Sequence, residues 1–309
     1  MSNNVPISPA GSVSPDLVLR SNAAPTLTRR RWLKRTALSF FAAGAGVAVY
    51  THWIEPFWVD FVERDLPIAD LPPQWRGRTL VQVSDLHVGP RVSDDYLKRS
   101  FDRISILEPD VVAFTGDFVS LRPDGTPPYD QLKRVMEHLP QGKVATLSVL
   151  GNHDYGRGWS EPSVAARLVD LLRDCGLHML RNEAVEIDGL QFVGLDELLA
   201  DHCDGGAALA SVSNGSAHLA LCHNPDAADE RFWGDYHGWI LAGHTHGGQC
   251  KPPFFPPPLL PVKNQRYTAG EFDLFDGRLM YINRGLGHLQ RVRFNVRPEV
   301  TVFRLVAAQ

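Results

Sequence analysis

Five short runs of apolar and β-branched residues punctuate the middle of the chain: TLVQVS (79–84), VVAFTG (111–116), VATLSVL (144–150), HLALC (218–222) and GWILA (238–242). Each is continuous rather than alternating, the pattern of a strand buried on both faces. Between the first two, Leu97, Phe101 and Ile104 share one helical face, with Ser93 as N-cap and Pro109 beyond the end. Between the third and fourth, Pro162 opens a helical pattern through Val164, Leu168 and Leu172, and Gly176 closes it. This strand–helix rhythm predicts an α/β fold. The later segments LQFVGLD, LMYINRG and EVTVFRLV are more purely β, which fits a pair of mixed sheets with helices outside. From Asp60 onward no low-complexity linker or internal repeat divides the chain, so residues 60–309 read as one domain.

The N-terminal pattern is different. Residues 1–28, rich in Ser, Asn, Pro and Ala without apolar periodicity, read as a disordered leader. Arg29, Arg30, Arg31, Lys34 and Arg35 then precede an uncharged stretch over 36–50, the charged and apolar regions of an export signal. Thr28 to Lys34 (TRRRWLK) also resembles the twin-arginine pattern, which implies a folded cargo and the twin-arginine export machinery as a partner. Extended to Ile54, the stretch approaches the ~20 residues that span a bilayer. Residues 29–58 therefore read equally as a cleaved signal, with Ala43-Gly44-Ala45 for a peptidase, or as a retained anchor with Trp53, Phe57 and Trp58 as an aromatic belt. In both cases the basic flank stays cytoplasmic and the rest of the chain lies outside.

Composition acts mainly by exclusion. At 44% hydrophobic and 21% charged residues, the 309-residue chain is an ordinary globular protein. Lys plus Arg number 31 against 35 for Asp plus Glu, a net charge of −4, so no nucleic-acid partner is expected. The four cysteines form no CxxC pair and are too few for a disulfide framework.

The chemistry lies just after the five apolar runs. They lead into Asp85-Leu86-His87, Gly116-Asp117, Gly151-Asn152-His153-Asp154, His223-Asn224-Pro225-Asp226 and Gly243-His244-Thr245-His246. Ligand sites of α/β sheets form beyond the carboxyl ends of strands. Together these ends supply four Asp, two Asn and five His, a donor set suited to Zn, Mn, Fe or Ni rather than Ca. Singly, each cluster has an ordinary alternative: an Asp-x-His turn, a Gly-Asp turn, an Asx-turn at GNHD, a satisfied core histidine at His223.

In content and order these clusters resemble the signature of the calcineurin-like metallophosphoesterases, over nearly all of residues 78–309. GHTHGGQ, KPPFFPPPLLP, YINRGLGH and VRFNVRPEVTVFRL resemble the bacterial membrane-associated or exported branch, which includes twin-arginine-exported phosphodiesterases. The resemblance implies the metallophosphoesterase fold, a four-layer αββα sandwich of two mixed β-sheets flanked by helices. It implies two divalent metal ions, Mn, Fe, Zn or Ni, one on Asp85, His87 and His246, the other on Asn152, His223 and His244, with Asp117 bridging. A hydroxide held between the ions would attack phosphorus in line with the leaving oxygen. His153 would stabilise the transition state or protonate that oxygen. Asp154 would hold His153 in its working tautomer, or stand as an exposed turn carboxylate. Gly243, Gly247 and Gly248 would let the backbone approach the metals at positive φ. On an extended segment, the two-residue spacing of His244 and His246 would point both rings to one face and let each reach a different metal. Phosphoprotein phosphatases of this superfamily carry a second Asp three residues after the bridging one. Here that position is Ser120, which speaks against an Asp–His acid dyad and against protein phosphatase activity.

Substrate choice is less marked. Arg91, Arg157, Arg266, Arg284 and Arg291 lie in expected loops, as solvated cations or as ligands for a second phosphate. KPPFFPPPLLP (251–261) reads as a packed loop or as a membrane-facing lip for a lipid-linked phosphoester. Three functions compete. The first is a metal-dependent phosphodiesterase at the outer membrane face, its substrate a phosphodiester or a lipid-linked phosphate. The second is a UDP-diacylglucosamine-type lipid pyrophosphatase of lipid A synthesis, whose nucleotide substrate requires the cytoplasmic face of the inner membrane. The third, a non-catalytic metal-binding scaffold, predicts lost ligands, whereas all seven are present.

Overall fold

The computed structural model describes residues 1–2, 28–213 and 215–308, in two compact units, Met1–Gly46 and Val47–Gln309. Apart from Met1, Ser2 and Thr28, the expected leader lies outside the described residues. Helix α1 (Arg29–Val49) buries none of its side chains, and a wider π-helical turn (Tyr50–Ile54) and then a tighter 3-10 turn (Glu55–Phe57) continue it. Among the described residues, Arg29–Phe57 is the one helix long and apolar enough to cross a membrane.

Among the described residues, twelve strands form two six-stranded sheets. The first holds, in order of pairing, β1 (Asp60–Ile68), β12 (Glu299–Ala307), β2 (Thr79–Val83), β3 (Val111–Thr115), β4 (Ala145–Val149) and β5 (His178–Met179). The second holds β10 (Gly270–Asp273), β11 (Leu279–Ile282), β9 (Trp239–Ala242), β8 (Ala217–Leu221), β7 (Leu190–Gly194) and β6 (Glu183–Ile187). Both are mixed: β2, β3, β4 and β5 pair in parallel, as do β7, β8 and β9, while β12–β2, β10–β11 and β6–β7 are antiparallel.

The continuous apolar runs have the expected cause. In β3, Val111 and Ala113 face the core between the sheets while Val112 and Phe114 face helices α2 (Asp94–Ile106), α3 (Tyr129–Met136) and α4 (Pro162–Asp174). In β8, Leu219 and Leu221 enter the same inter-sheet core, and Ala220, with Cys222 just past the strand, faces the opposite way, toward the layer with α5 (Gly205–Leu209) and Trp233. Successive residues of one strand thus enter different apolar layers, leaving no polar face to alternate. Leu97, Phe101 and Ile104 of α2 and Leu168 and Leu172 of α4 are fully buried. Gly176, at φ +97, ends α4 in a conformation that favours glycine.

This packing places β2, β3, β4, β8 and β9 with their carboxyl ends together. Asp85, Asp117, His223 and His244 each lie two residues beyond their strand, and Asn152 three.

Candidate metal centre

The loops after these strands are tied to each other by backbone bonds. Asp85 N–H donates to the Gly116 carbonyl at 3.0 Å, His87 N–H to Asp117 at 2.9 Å, and Gly243 N–H to His223 at 3.0 Å. Asp85, His87, Asp117, His244 and His246 all adopt φ between 48° and 71°. Left-handed backbone at non-glycine residues is sparsely populated and persists where the surroundings impose it, commonly at functional sites. For His244 and His246 this corrects the expected extended segment: β9 ends at Ala242, and two left-handed residues turn the rings toward different partners. Gly247 and Gly248 take positive φ as expected. Gly243 does not, and its requirement is space, since a β-carbon there would stand 2.7 Å from Asp85 Oδ2.

The side chains gather into two buried groups, Asp85 with His87 and His246, and Asp117 with His223 and His244, the donor atoms of each within 4.8 Å of one another. In the first, His87 Nε2 and His246 Nε2 stand 3.0 Å apart, and Asp85 Oδ1 lies 3.2 Å from His246 Nε2. In the second, His223 Nε2 is 3.1 Å from His244 Nδ1 and 3.2 Å from Asn152 Oδ1. One carboxylate oxygen, Asp117 Oδ2, faces both groups, 3.5 Å from His87 Nε2 and 3.2 Å from His223 Nε2.

Outer contacts decide which nitrogens carry lone pairs. His223 Nδ1–H donates to the Thr115 carbonyl at 2.7 Å, and His244 Nε2–H to the Pro261 carbonyl at 2.9 Å. With both rings neutral, their facing nitrogens would meet lone pair to lone pair, a contact that either a proton or a cation relieves. His87 Nδ1 lies 3.0 Å from Ser120 Oγ, which leaves Nε2 for the group's interior. Asp85 Oδ1 is buried without a hydrogen-bond donor. The donor set fits two divalent cations of the transition series.

Charge follows the same geometry. Burial holds His87 well below its ordinary pKa and takes His244 down to about 4, so both rings stay neutral, the form that ligates metal. Burial raises the carboxyls of Asp85 and Asp117, but His246 beside one and His223 beside the other outweigh it, and both lie below the usual carboxylate range. For His223, burial lowers the pKa and the adjacent Asp117 carboxylate raises it further, to about 10. A proton and a cation thus compete for the same donors.

His153 lies half-buried at the rim. Its backbone N–H donates to Asp117 Oδ1 at 2.9 Å and its ring stands edge-on to His87 with centroids 5.1 Å apart. Asp154 differs from both expectations. It is fully buried, and its oxygens accept N–H bonds from Asp117, Phe118, Val119 and Gly151, none from the His153 ring. Burial and the charge of Asp117 push its carboxyl up to about 8 against those four donations. The reason is geometric: the short helical turn from Asn152 to Tyr155 sends His153 outward and Asp154 back under the loop after β3.

The five singled-out arginines separate. Arg284 is an ion-pair partner of Glu299 and of Asp60, the latter at 3.0 Å. Arg91 and Arg291 line one cleft, Arg266 lines another, and Arg157 follows the His153 turn. Arg293, which sequence reasoning missed, is fully buried, donates to the Gly287 carbonyl at 2.6 Å and approaches His246 Nδ1 at 3.5 Å. Only its place within VRFNVRP marked it, because an arginine in a loop carries no burial signal.

Residues 78–248 match the calcineurin-like phosphoesterase family. An uncharacterized metallophosphoesterase of Bacillus subtilis, YkuE, is 31% identical over 292 residues, spanning 90% of this chain and 98% of its own. The phosphodiesterase YaeI of Escherichia coli is 30% identical over 287 residues, 91% of this chain and all of its own. UDP-2,3-diacylglucosamine pyrophosphatase LpxG of Chlamydia trachomatis is 29% identical over 281 residues, 74% of this chain and 83% of its own. With a matching family over more than half its length and a relative at 31% identity, the chain belongs to the calcineurin-like phosphoesterases, a family of phosphoester hydrolases.

Proposed function

We propose that the protein is a membrane-attached, dinuclear metal-dependent phosphodiesterase. In this reading Asp85, His87 and His246 hold one cation, Asn152, His223 and His244 the other, and Asp117 is shared. The observation that carries it is Asp117 Oδ2 facing both groups at 3.5 and 3.2 Å. Bound to these donors, two divalent cations supply Lewis acidity and activate water as a nucleophile at neutral pH. The chain's own residues do the rest. Asp117 fixes the spacing of the groups, and its Oδ1 holds the backbone of His153. From the rim, the His153 ring donates a proton to the departing oxygen. Asp154, Thr115, Pro261 and Ser120 hold the ligands in their working orientation, and residues 60–309 act as the catalytic domain.

Attachment is supported by the exposed apolar side chains of the helix, among them Leu38, Phe40 and Phe41, whose cover is a bilayer. The basic flank at Arg29 to Lys34 supports twin-arginine export, which puts the domain on the extracytoplasmic face. Phe254, Phe255 and Leu259 are wholly or largely exposed, which supports residues 251–261 as a membrane-facing lip and a lipid-linked phosphodiester as substrate. The name of the Chlamydia relative favours a second reading, a lipid pyrophosphatase at the cytoplasmic face.

The test is hydrolysis by the full chain, reloaded in turn with Mn, Fe, Zn and Ni, of an aryl phosphodiester, an aryl monoester and a lipid pyrophosphate. Diester hydrolysis above the other two is the expected result; turnover of monoesters alone would overturn the reading. A reporter fused after Gln309 assigns the face, and a cytoplasmic signal would favour the pyrophosphatase.

A further inference from the structure

A cleft of about 480 Å³ within the unit Val47–Gln309 is lined by Phe57, Arg91, Ser93, Tyr96, Arg99 and Arg291 among others. Phe57 is the last residue of the membrane-length helix. Among the described residues no carboxylate lines the cleft, and none makes an ion pair within 4.0 Å with any of its three guanidinium groups. The acids nearest in sequence do not neutralise them. Asp94 accepts from Gln131 Nε2 at 2.6 Å and pairs with Arg134 at 3.8 Å, Asp102 pairs with His138 at 2.9 Å, and Asp95, one helical turn before Arg99, forms no ion pair within 4.0 Å.

The backbone of Arg91 and the side chain of Arg291 are held in place. Arg91 follows a rigid Pro90, and its carbonyl accepts the Nε2–H of buried His288 at 3.0 Å. Arg291 donates through Nε to the His52 carbonyl at 3.3 Å and lies over the rings of Phe57 and Trp53, 5.1 and 6.0 Å from their centroids. It is thus fastened to the last turns of the helix. Trp53 and Ile54 on those turns, and Trp58 just after them, are about half exposed or more, the side chains that sit at headgroup depth where a helix leaves a bilayer. Guanidinium groups bind phosphate oxygens through paired N–H donors, and basic groups beside a membrane helix attract anionic lipid.

We infer that this three-arginine cleft binds the phosphate headgroup of an anionic membrane phospholipid. The lipid seats the domain against the membrane through Arg91, Arg99 and Arg291, with Phe57 against the start of its acyl chains. The inference rests on the membrane attachment proposed above and is independent of the catalytic assignment.

Binding, not turnover, is the readout, so a failed hydrolysis assay leaves the test intact. Full chain in neutral detergent is titrated by calorimetry with dihexanoyl phosphatidylglycerol, dihexanoyl phosphatidylcholine and inorganic phosphate. Phosphatidylglycerol is expected to bind at least about tenfold more tightly than the other two. Arg91→Gln with Arg99→Gln should weaken it by about tenfold or more, and Arg91→Lys with Arg99→Lys, which keeps the charge but loses the paired N–H donors, by less than the glutamine pair. Unchanged phosphatidylglycerol binding in a folded glutamine variant overturns the inference. Inorganic phosphate binding as tightly as the lipid also overturns it, in favour of a free-phosphate site. If the glutamine variant does not fold, the wild-type preference decides, and no preference for phosphatidylglycerol is a negative result.

Discussion

The carboxylate of Asp154 accepts the backbone N–H of Asp117 at 3.0 Å. The carboxylate shared by the two metal groups is therefore positioned by a second, fully buried carboxylate that faces no metal group itself. The same Asp154 binds Phe118, Val119 and Gly151, so one side chain ties the loop after β3 to the loop after β4.

Replacing Asp154 with Asn puts an amide N–H₂ against backbone N–H donors. We predict a loss of stability of about 1–3 kcal/mol, as for a buried donor left unpaired. Turnover should fall by about tenfold or more as Asp117 shifts. Urea melts and steady-state kinetics on an aryl phosphodiester check this; an Asp154→Asn variant with wild-type stability contradicts the positioning role.

Ser120 stands where phosphoprotein phosphatases of the superfamily carry an acid, and here it contacts His87 Nδ1 at 3.0 Å rather than the rim histidine. Removing an outer partner of a ligating imidazole typically costs about 10–100-fold in metal affinity or activity. Ser120→Ala should therefore lower metal occupancy at limiting metal and regain activity as metal is raised. Chelator competition measures this, and unchanged affinity would remove Ser120 from the site.

Burial holds His288 down to about 4, against an ordinary value near 6.5. Above pH 6.5 the ring is neutral in both folded and unfolded chains. As pH falls from 6.5 toward 4, the unfolded chain takes up a proton that the folded one excludes, so stability is lost across that window, by ~3 kcal/mol. The slope of stability against pH between 6.5 and 4 should be shallower in His288→Phe than in wild type. Parallel slopes would show that this ring does not contribute.

Much of this was legible in the sequence, for identifiable reasons. Strands buried on both faces must be continuous apolar runs, and Val111 to Phe114 obey that rule because they serve two cores at once. The two buried groups of candidate donors were legible as a cluster because their residues sit just past five such runs. Their conformation was not: His244 and His246 share a two-residue spacing that also fits an extended strand, and nothing local betrays φ of 71° and 50°. Asp154 was misread because GNHD does not say which way a short helical turn points its third and fourth residues. The carbonyls of Thr115 and Pro261 that set ring tautomers belong to the backbone, on which sequence is silent. The cleft joining Arg91, Arg99 and Arg291 spans about 200 residues of chain and exists only after folding.

The central claim is that Asp117 serves two cations at once, and metal content of the full-chain Asp117→Asn variant tests it most directly. Purified wild-type protein, reloaded and measured by inductively coupled plasma mass spectrometry, should hold about two equivalents of metal. The variant should hold about one or fewer, with aryl phosphodiester hydrolysis reduced by about a thousandfold. A folded Asp117→Asn protein that keeps two equivalents and full activity would contradict the account.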